Sequence, residues 1–278
     1  MKHEQKGSEV VALQEALITL GYPLPRWGVD GDFGEETVRA VNACLADHGS
    51  KEIALTTVTE RSVAAILRWA NAATQTELPP DFIDLRTQQH MSIHRGKRPW
   101  KQVTGITLHH TACVLGENPP RWAPLAAHAG ITLSGKSIYL ADPTVLIWHG
   151  NGFNDSDFGI ELDGYYEGVG GDALTLWQDP TEPHRVGMTP TPELVLAAQT
   201  MVRYVVALVA AHGGKIQYIH AHRQSSKNRR ADPGSALWRQ VALPLMKELG
   251  LRDGGKGFAL GGRPIPDSWD PRYKGIPY

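Results

Sequence analysis

Two short segments far apart in the chain, each carrying a pair of histidines, constrain this sequence more than any other feature. The first is Ile106-Thr-Leu-His109-His110. The second is His220-Ala-His222-Arg223, which leads through a polar loop to Arg230-Ala-Asp232-Pro233-Gly234. Between them lies Phe158-Gly-Ile160-Glu161-Leu162. The apolar run in each segment reads as a strand. His220 and His222, two apart on a strand, share a face, and only one of them need bind a metal. Two imidazoles and one carboxylate from separated segments can hold a zinc ion and leave one position for water. That ligand set belongs to catalytic rather than structural zinc sites. A carboxylate from the middle segment can then serve as the base.

The rest of the chain divides around this pattern. Residues 1–73 predict a small three-helix unit. In the first helix Val10, Leu13, Leu17 and Leu20 follow helical spacing, with Ser8 as the expected cap and Gly21 past the end. A turn-rich stretch from Tyr22 to Gly34 follows. A second helix over 35–46 carries Val38, Val41 and Leu45, and Thr59 caps a third with Val63, Ile66, Leu67 and Ala70 inward. Residues 74–81, polar and ending in Pro-Pro, read as a linker. Residues 82–250 alternate strands (81–86, 105–110, 136–141, 145–148, 158–162, 216–221) with helices, which predicts a mixed α/β domain with a central sheet covered by helices. Thr191-Pro192-Glu193 opens a long helix that ends at Gly213-Gly214. Its valine-rich face is core rather than a membrane span, because Gln199, Thr200 and Arg203 interrupt it. A last helix covers 236–249. Residues 251–278, rich in Gly and Pro, read as an irregular tail.

Charge and cysteine content exclude several classes. The net charge of −1 offers no basic field to nucleic acid. Cys44 and Cys113 fall in different predicted units, which argues against a disulfide framework. No apolar run reaches the roughly 18 residues of a spanning helix. The polar N-terminus has no secretory h-region, so synthesis in the cytoplasm is expected, with later release needed for any action outside.

Taken together, Ile-Thr-Leu-His109-His-Thr-Ala, Phe-Gly-Ile-Glu161-Leu and His222-Arg…Arg230-Ala-Asp232-Pro-Gly resemble the zinc-dependent N-acetylmuramoyl-L-alanine amidases of type 2, a family shared with peptidoglycan recognition proteins. The resemblance spans roughly residues 82–250 and keeps the motifs in order. It implies zinc ligation by His109, His222 and Asp232, acid–base work by Glu161, and oxyanion stabilisation by Arg230 in place of the family's usual lysine. It also implies that Trp148-His149-Gly-Asn lines the substrate groove. In the first unit, Val11-Ala-Leu-Gln14-Glu-Ala-Leu17 with Asp30-Gly31-Asp-Phe33-Gly34 and Thr37 resembles the three-helix peptidoglycan-binding domain, although Asn42-Ala43-Cys44 departs from its usual ending.

These resemblances imply a monomeric peptidoglycan hydrolase with a wall anchor that acts on muropeptides, most simply a phage endolysin released through a holin. Alternatives are a cell-wall recycling amidase, an injected toxin, or a non-catalytic muropeptide-recognition protein. Standing ligand candidates favour catalysis. His110 and His220 are expected to be structural neighbours. His128 and His149 are expected to be groove-lining or simply satisfied surface histidines, and Cys113 a small buried residue after its strand. Trp122, Trp148 and Trp177 are candidates for sugar stacking or core.

Overall fold

The computed structural model describes residues 1–2, 4–51, 57–75, 78–177 and 186–278. Residues 76–77 of the expected linker lie outside them. The chain forms two compact units. The first gathers Met1–Glu77 with Arg98–Gln102 and Val206–Lys215, and the second holds Leu78–Lys97, Val103–Val205 and Ile216–Tyr278.

The first unit contains α1 (Ser8–Thr19), α2 (Glu35–Asp47) and α3 (Glu60–Gln75). Val10, Leu13 and Leu17 of α1, Val41 and Leu45 of α2, Ile66 of α3 and Phe33 form its core, as the helical spacing predicts. Two details differ. Gly7 with φ 130°, not Ser8, precedes the first helical residue, and its carbonyl accepts the Val10 and Val11 N–H groups. Leu67 is 37% exposed, because the buried face of α3 includes Ile66, Trp69 and Ala70 and leaves Leu67 at its edge. Thr59 caps α3 as expected, taking the Ser62 N–H at 3.2 Å. The turn before α2 is organised by Gln14, a buried amide on α1. Its Nε2 donates to Asp30 Oδ1, the Asp32 carbonyl and Thr37 Oγ1 at 2.8–3.0 Å, and its Oε1 accepts the Gly31 N–H at 2.8 Å. Gly31 sits at φ +73°, a conformation that favours glycine.

The second unit is built on a six-stranded mixed sheet. Its strands are β1 (Ile83–Asp84), β3 (Gly105–His110), β4 (Ala129–Ile131), β5 (Ser137–Tyr139), β7 (Asp157–Leu162) and β8 (Tyr218–Ala221). Their order is β1-β5-β4-β7-β3-β8, and only β4 and β5 run antiparallel. Expected strand 145–148 leaves this sheet. As β6 (Val145–Ile147) it pairs with β2 (His94–Lys97) in a separate two-stranded ribbon. The helix α4 (Pro192–Ala211) turns Leu194, Ala198, Met201, Val202, Val205 and Val209 into the interior, and Arg203 pairs with Glu248 at 2.7 Å. α4 is long and apolar enough to cross a membrane, and these buried residues make it a core helix. The last helix runs in three pieces: α5 (Ser235–Leu237), a π segment over Trp238–Ala242, and α6 (Leu243–Leu249).

Register positions the chemistry. β3 lies between β7 and β8, with His109 opposite Glu161 and Thr107 opposite His220. Cβ alternation therefore puts Thr107 and His109, Asp157 and Glu161, and Tyr218 and His220 on one face. Trp122, fully buried, fills the space over Gly130, where a Cβ would meet its ring at 2.2 Å.

Candidate metal centre and its supports

His109, at the end of β3, and His222, just past β8, meet where these parallel neighbours end. Their Nδ1 atoms stand 2.9 Å apart. Asp232 comes back from its loop so that Oδ2 lies 3.0 Å from His222 Nδ1, while Oδ1 accepts the His110 main-chain N–H at 3.0 Å. One donor atom from each of His109, His222 and Asp232 lies within 4.8 Å of the other two, and all three residues are buried. Burial, followed by the neighbouring His222 and His149, holds His109 well below the usual imidazole pKa. The ring is neutral and able to ligate a metal. Burial works against the Asp232 charge, but the His222 hydrogen bond and charge keep its carboxyl below the usual range. Two nitrogens and one carboxylate oxygen fit a zinc ion with an open coordination position.

Glu161 stands beside His109 across the β3–β7 pair. Its Oε2 is enclosed and has no hydrogen-bond partner among the described residues. Burial, then the Asp232 charge, pushes its carboxyl up to about 8, against a smaller opposing effect of Arg229. An acid so tuned exchanges its proton near neutral pH.

His149 is the support that the sequence reading left undecided. Its Nδ1 faces His109 Nε2 at 3.0 Å, and its Nε2 faces the Asp157 carbonyl at 3.1 Å. An Nε2–H on His149 donating to that carbonyl leaves Nδ1 free to accept from His109 Nε2–H. His109 Nδ1 is then unprotonated and turned to the metal donors. A signal for this exists in the sequence. Gly159 occupies the same face as Asp157 and Glu161, and the His149 ring lies over it, 2.6 Å from where a Cβ would stand.

The other histidines have structural partners. His220 Nδ1 pairs with Asp157 Oδ2 at 2.7 Å, and Asp157 also accepts from Ser156 and Thr107. His128 accepts the Gly159 N–H through Nδ1, and its Nε2 contacts the Val145 carbonyl. His110 contributes its backbone to Asp232, and its ring stays outside the donor cluster. Cys113 is half-buried rather than buried, because it sits in a single backbone bridge to Gly164 past the strand end, and it is a free thiol, as is buried Cys44. Trp148 is 66% exposed beneath Arg95, whereas Trp122 is core.

The two arginines of the Asp232 loop part ways. The Arg230 guanidinium lies over the Tyr278 ring at 4.8 Å and reaches the Tyr278 main-chain oxygen at 3.4 Å. The arginine charge felt by His109, His110, Glu161 and Asp232 is that of Arg229. The sequence had no means of choosing between adjacent arginines in an aperiodic loop.

With this geometry in view, residues 99–235 match the family profile described as N-acetylmuramoyl-L-alanine amidase. This segment is a type-2 amidase domain. Residues 6–49 match the profile of a peptidoglycan binding domain, so the amidase domain carries that module on its N-terminal side. A probable N-acetylmuramoyl-L-alanine amidase of Bacillus licheniformis is 31% identical over 113 residues, 40% of this chain and 29% of the relative. The N-acetylmuramoyl-L-alanine amidase CwlL of the same organism is 41% identical over 70 residues, 24% of this chain and 19% of that protein. The chain thus spans less than a third of the length of these curated relatives. Among solved structures, the N-acetylmuramoyl-L-alanine amidase LysC from Clostridium intestinale URNW aligns with a TM-score of 0.43 at 14% identity, over 62% of this chain and 99% of that one.

Proposed function

We propose that this chain is a peptidoglycan hydrolase that cuts the amide between the lactyl group of N-acetylmuramic acid and L-alanine, with zinc held by His109, His222 and Asp232. The observation that carries the reading is the enclosed Glu161 Oε2, unpartnered among the described residues, beside the buried His-His-Asp donor set. Zinc bound there supplies Lewis-acid activation of water and of the scissile carbonyl. Glu161 Oε2 accepts the proton of the attacking water and returns it to the leaving amine of L-alanine. The Asp232 loop brings positive charge to the developing oxyanion. Arg229 is the residue whose charge already bears on Glu161, and Arg230 is the residue that the family pattern names. His149 keeps His109 in the ligating tautomer.

The N-terminal module supports a wall-bound substrate, since anchoring serves an enzyme that works on an insoluble polymer better than one that works on free fragments. We propose a monomeric endolysin, delivered to the wall through a holin-type opening, as the biological setting. The deciding experiment is digestion of defined muropeptides with the zinc-loaded protein, identifying the new ends by mass. A free L-alanine amino terminus with intact N-acetylmuramic acid is the expected product. Tight muropeptide binding with no new amine would mean a recognition protein instead.

A further inference from the structure

The family profile ends at residue 235, yet the segment that follows α6 is built into the loop that carries Asp232. Trp269, fully buried, and Tyr278 sandwich the guanidinium of Arg223, each ring centroid 4.9 Å from Cζ, and Arg230 lies on Tyr278 at 4.8 Å. Ring and cation thus alternate through Trp269, Arg223, Tyr278 and Arg230. Arg223 is 1% exposed. It is met by carbonyls and rings: Nε donates to the Pro264 carbonyl at 3.0 Å and Nη1 to the Arg230 carbonyl at 2.6 Å. Its main-chain N–H donates to the Asp232 carbonyl at 3.0 Å, and its own carbonyl accepts the Arg263 N–H at 2.7 Å.

The neighbouring turn is held in the same way. The Gln224 carbonyl accepts from Leu260 and Gly262, and Gln224 Nε2 donates to the Asp253 carbonyl. Gly262 lies so close that a Cβ there would stand 2.2 Å from the Arg223 carbonyl oxygen. Both rings of the ladder are anchored too, through Trp269 Nε1 to the Gly168 carbonyl and Tyr278 Oη to the Thr175 carbonyl.

Residues 227–230 are exposed and polar, and the small Ala231 is the one buried apolar side chain between them and Asp232, so the loop brings little packing of its own to fix that carboxylate. We propose that residues 252–278 form a wall of the metal centre, in which Trp269 and Tyr278 act through Arg223 as positioning residues for Asp232. A planar guanidinium suits this role, because it stacks on two rings while bonding to carbonyls in its plane. The affinity part of the proposal rests on the zinc reading above. The positional part does not.

The test uses the full chain with Tyr278→Ala, Tyr278→Phe and Arg223→Lys. Two quantities are read: amide hydrogen exchange at Arg223 and Asp232 in the metal-free protein, and the zinc Kd by competition with a chelator. Tyr278→Ala is expected to speed exchange at both amides at least about tenfold and to weaken zinc about 10- to 100-fold, with little change in Tm. Tyr278→Phe keeps the ring, loses only the Oη bond to the Thr175 carbonyl, and is expected to stay far closer to wild type than Tyr278→Ala in both. Arg223→Lys, if it folds, is expected to behave like Tyr278→Ala. Unchanged exchange in Tyr278→Ala overturns the proposal whether or not the wild type binds zinc. Faster exchange with wild-type zinc affinity overturns the link to the metal centre. Absence of zinc binding by wild type counts against the function reading, and exchange alone then decides the positioning claim.

Discussion

His109 Nδ1 and His222 Nδ1 stand 2.9 Å apart although 113 residues separate them in the chain. A hydrogen bond between them needs a proton on one nitrogen and a free lone pair on the other, and Asp232 Oδ2 lies 3.0 Å from the same His222 atom. A shared cation satisfies all three acceptors at once. His222→Ala is therefore expected to weaken zinc binding by more than about 100-fold, since even supporting partners are worth 10- to 100-fold. His220→Gln, two residues earlier, should retain zinc and lose about 1–3 kcal/mol of stability, because it disturbs the buried Asp157 pair instead. Metal analysis after dialysis, alongside thermal melts, separates the two.

Glu161→Gln keeps the size of the side chain and removes its titration. Zinc content is expected to stay at the wild-type level, while kcat falls on the order of 100- to 10,000-fold. Survival of turnover would place the base elsewhere. The metal-free protein offers a second reading. Burial and Asp232 raise the Glu161 pKa from 4.5 to about 8, so the folded state holds this proton more tightly than the unfolded chain does. The stability this contributes is fully present below pH 4.5 and is lost as pH rises through about 8. Melts in chelator should show the Tm of Glu161→Gln gaining on wild type between these pH values and then levelling off. A pH-independent difference would contradict the burial argument.

The adjacent arginines make opposite predictions for two substitutions. Arg229 is the charge that acts on Glu161 and Asp232, and Arg230 is stacked on Tyr278. If the resting positions persist with substrate bound, Arg229→Ala lowers kcat by about 100-fold or more, the usual loss for one electrostatic donor. Arg230→Ala then costs far less in kcat and shows mainly as looser zinc. The reverse ranking would mean that substrate draws Arg230 off Tyr278. Steady-state kinetics with saturating zinc distinguishes the cases.

What the sequence disclosed, and what it concealed, follows from how local each interaction is. α1 and α2 were legible because Leu13, Leu17, Val41 and Leu45 keep helical spacing. β3 and β7 were legible because each runs apolar into a polar residue with a task. β4 escaped notice because Ala129-Gly130-Ile131 is short and owes its small centre to Trp122 lying across it. β2 escaped because His94-Arg95-Gly96-Lys97 has no apolar alternation and is exposed for most of its length. The two histidines that meet Asp232 in the candidate donor cluster could be named from motif order. The direction of Arg230 could not, because it is set by Tyr278, a residue 48 positions away.

In the first unit, Gln14 carries a cluster of four short hydrogen bonds while 1% exposed. Gln14→Leu keeps the volume and strands the Gly31 N–H, while the Asp32 carbonyl keeps the Gly34 N–H and the Thr37 hydroxyl. The expected loss is about 1–3 kcal/mol per group left buried without a partner. The Asp30–Gly34 turn should loosen first, which hydrogen exchange at Gly31 reports. Full stability in Gln14→Leu would show that the turn's other bonds, such as Gly7 N–H to the Gly31 carbonyl and Phe33 N–H to the Gln5 carbonyl, hold it without Gln14.

Gly159 and His149 provide a coupled test of how His109 is held. A Cβ on Gly159 would stand 2.6 Å from His149 Nδ1 and 2.7 Å from Cγ, and the rigid ring cannot yield at its tip as a flexible chain can. Gly159→Ala should therefore push the ring out of its place between His109 and the Asp157 carbonyl. His149→Ala removes the same contact by deletion. Each alone is expected to weaken zinc about 10- to 100-fold, the usual cost of losing the partner of a ligating histidine. Combined, they should weaken it no further than His149→Ala alone, because both act on one hydrogen bond. A double variant whose losses simply add would mean that Gly159→Ala perturbs the centre by another route, through β7 and Glu161 rather than through His149. Zinc titrations on the four proteins of the cycle distinguish the two.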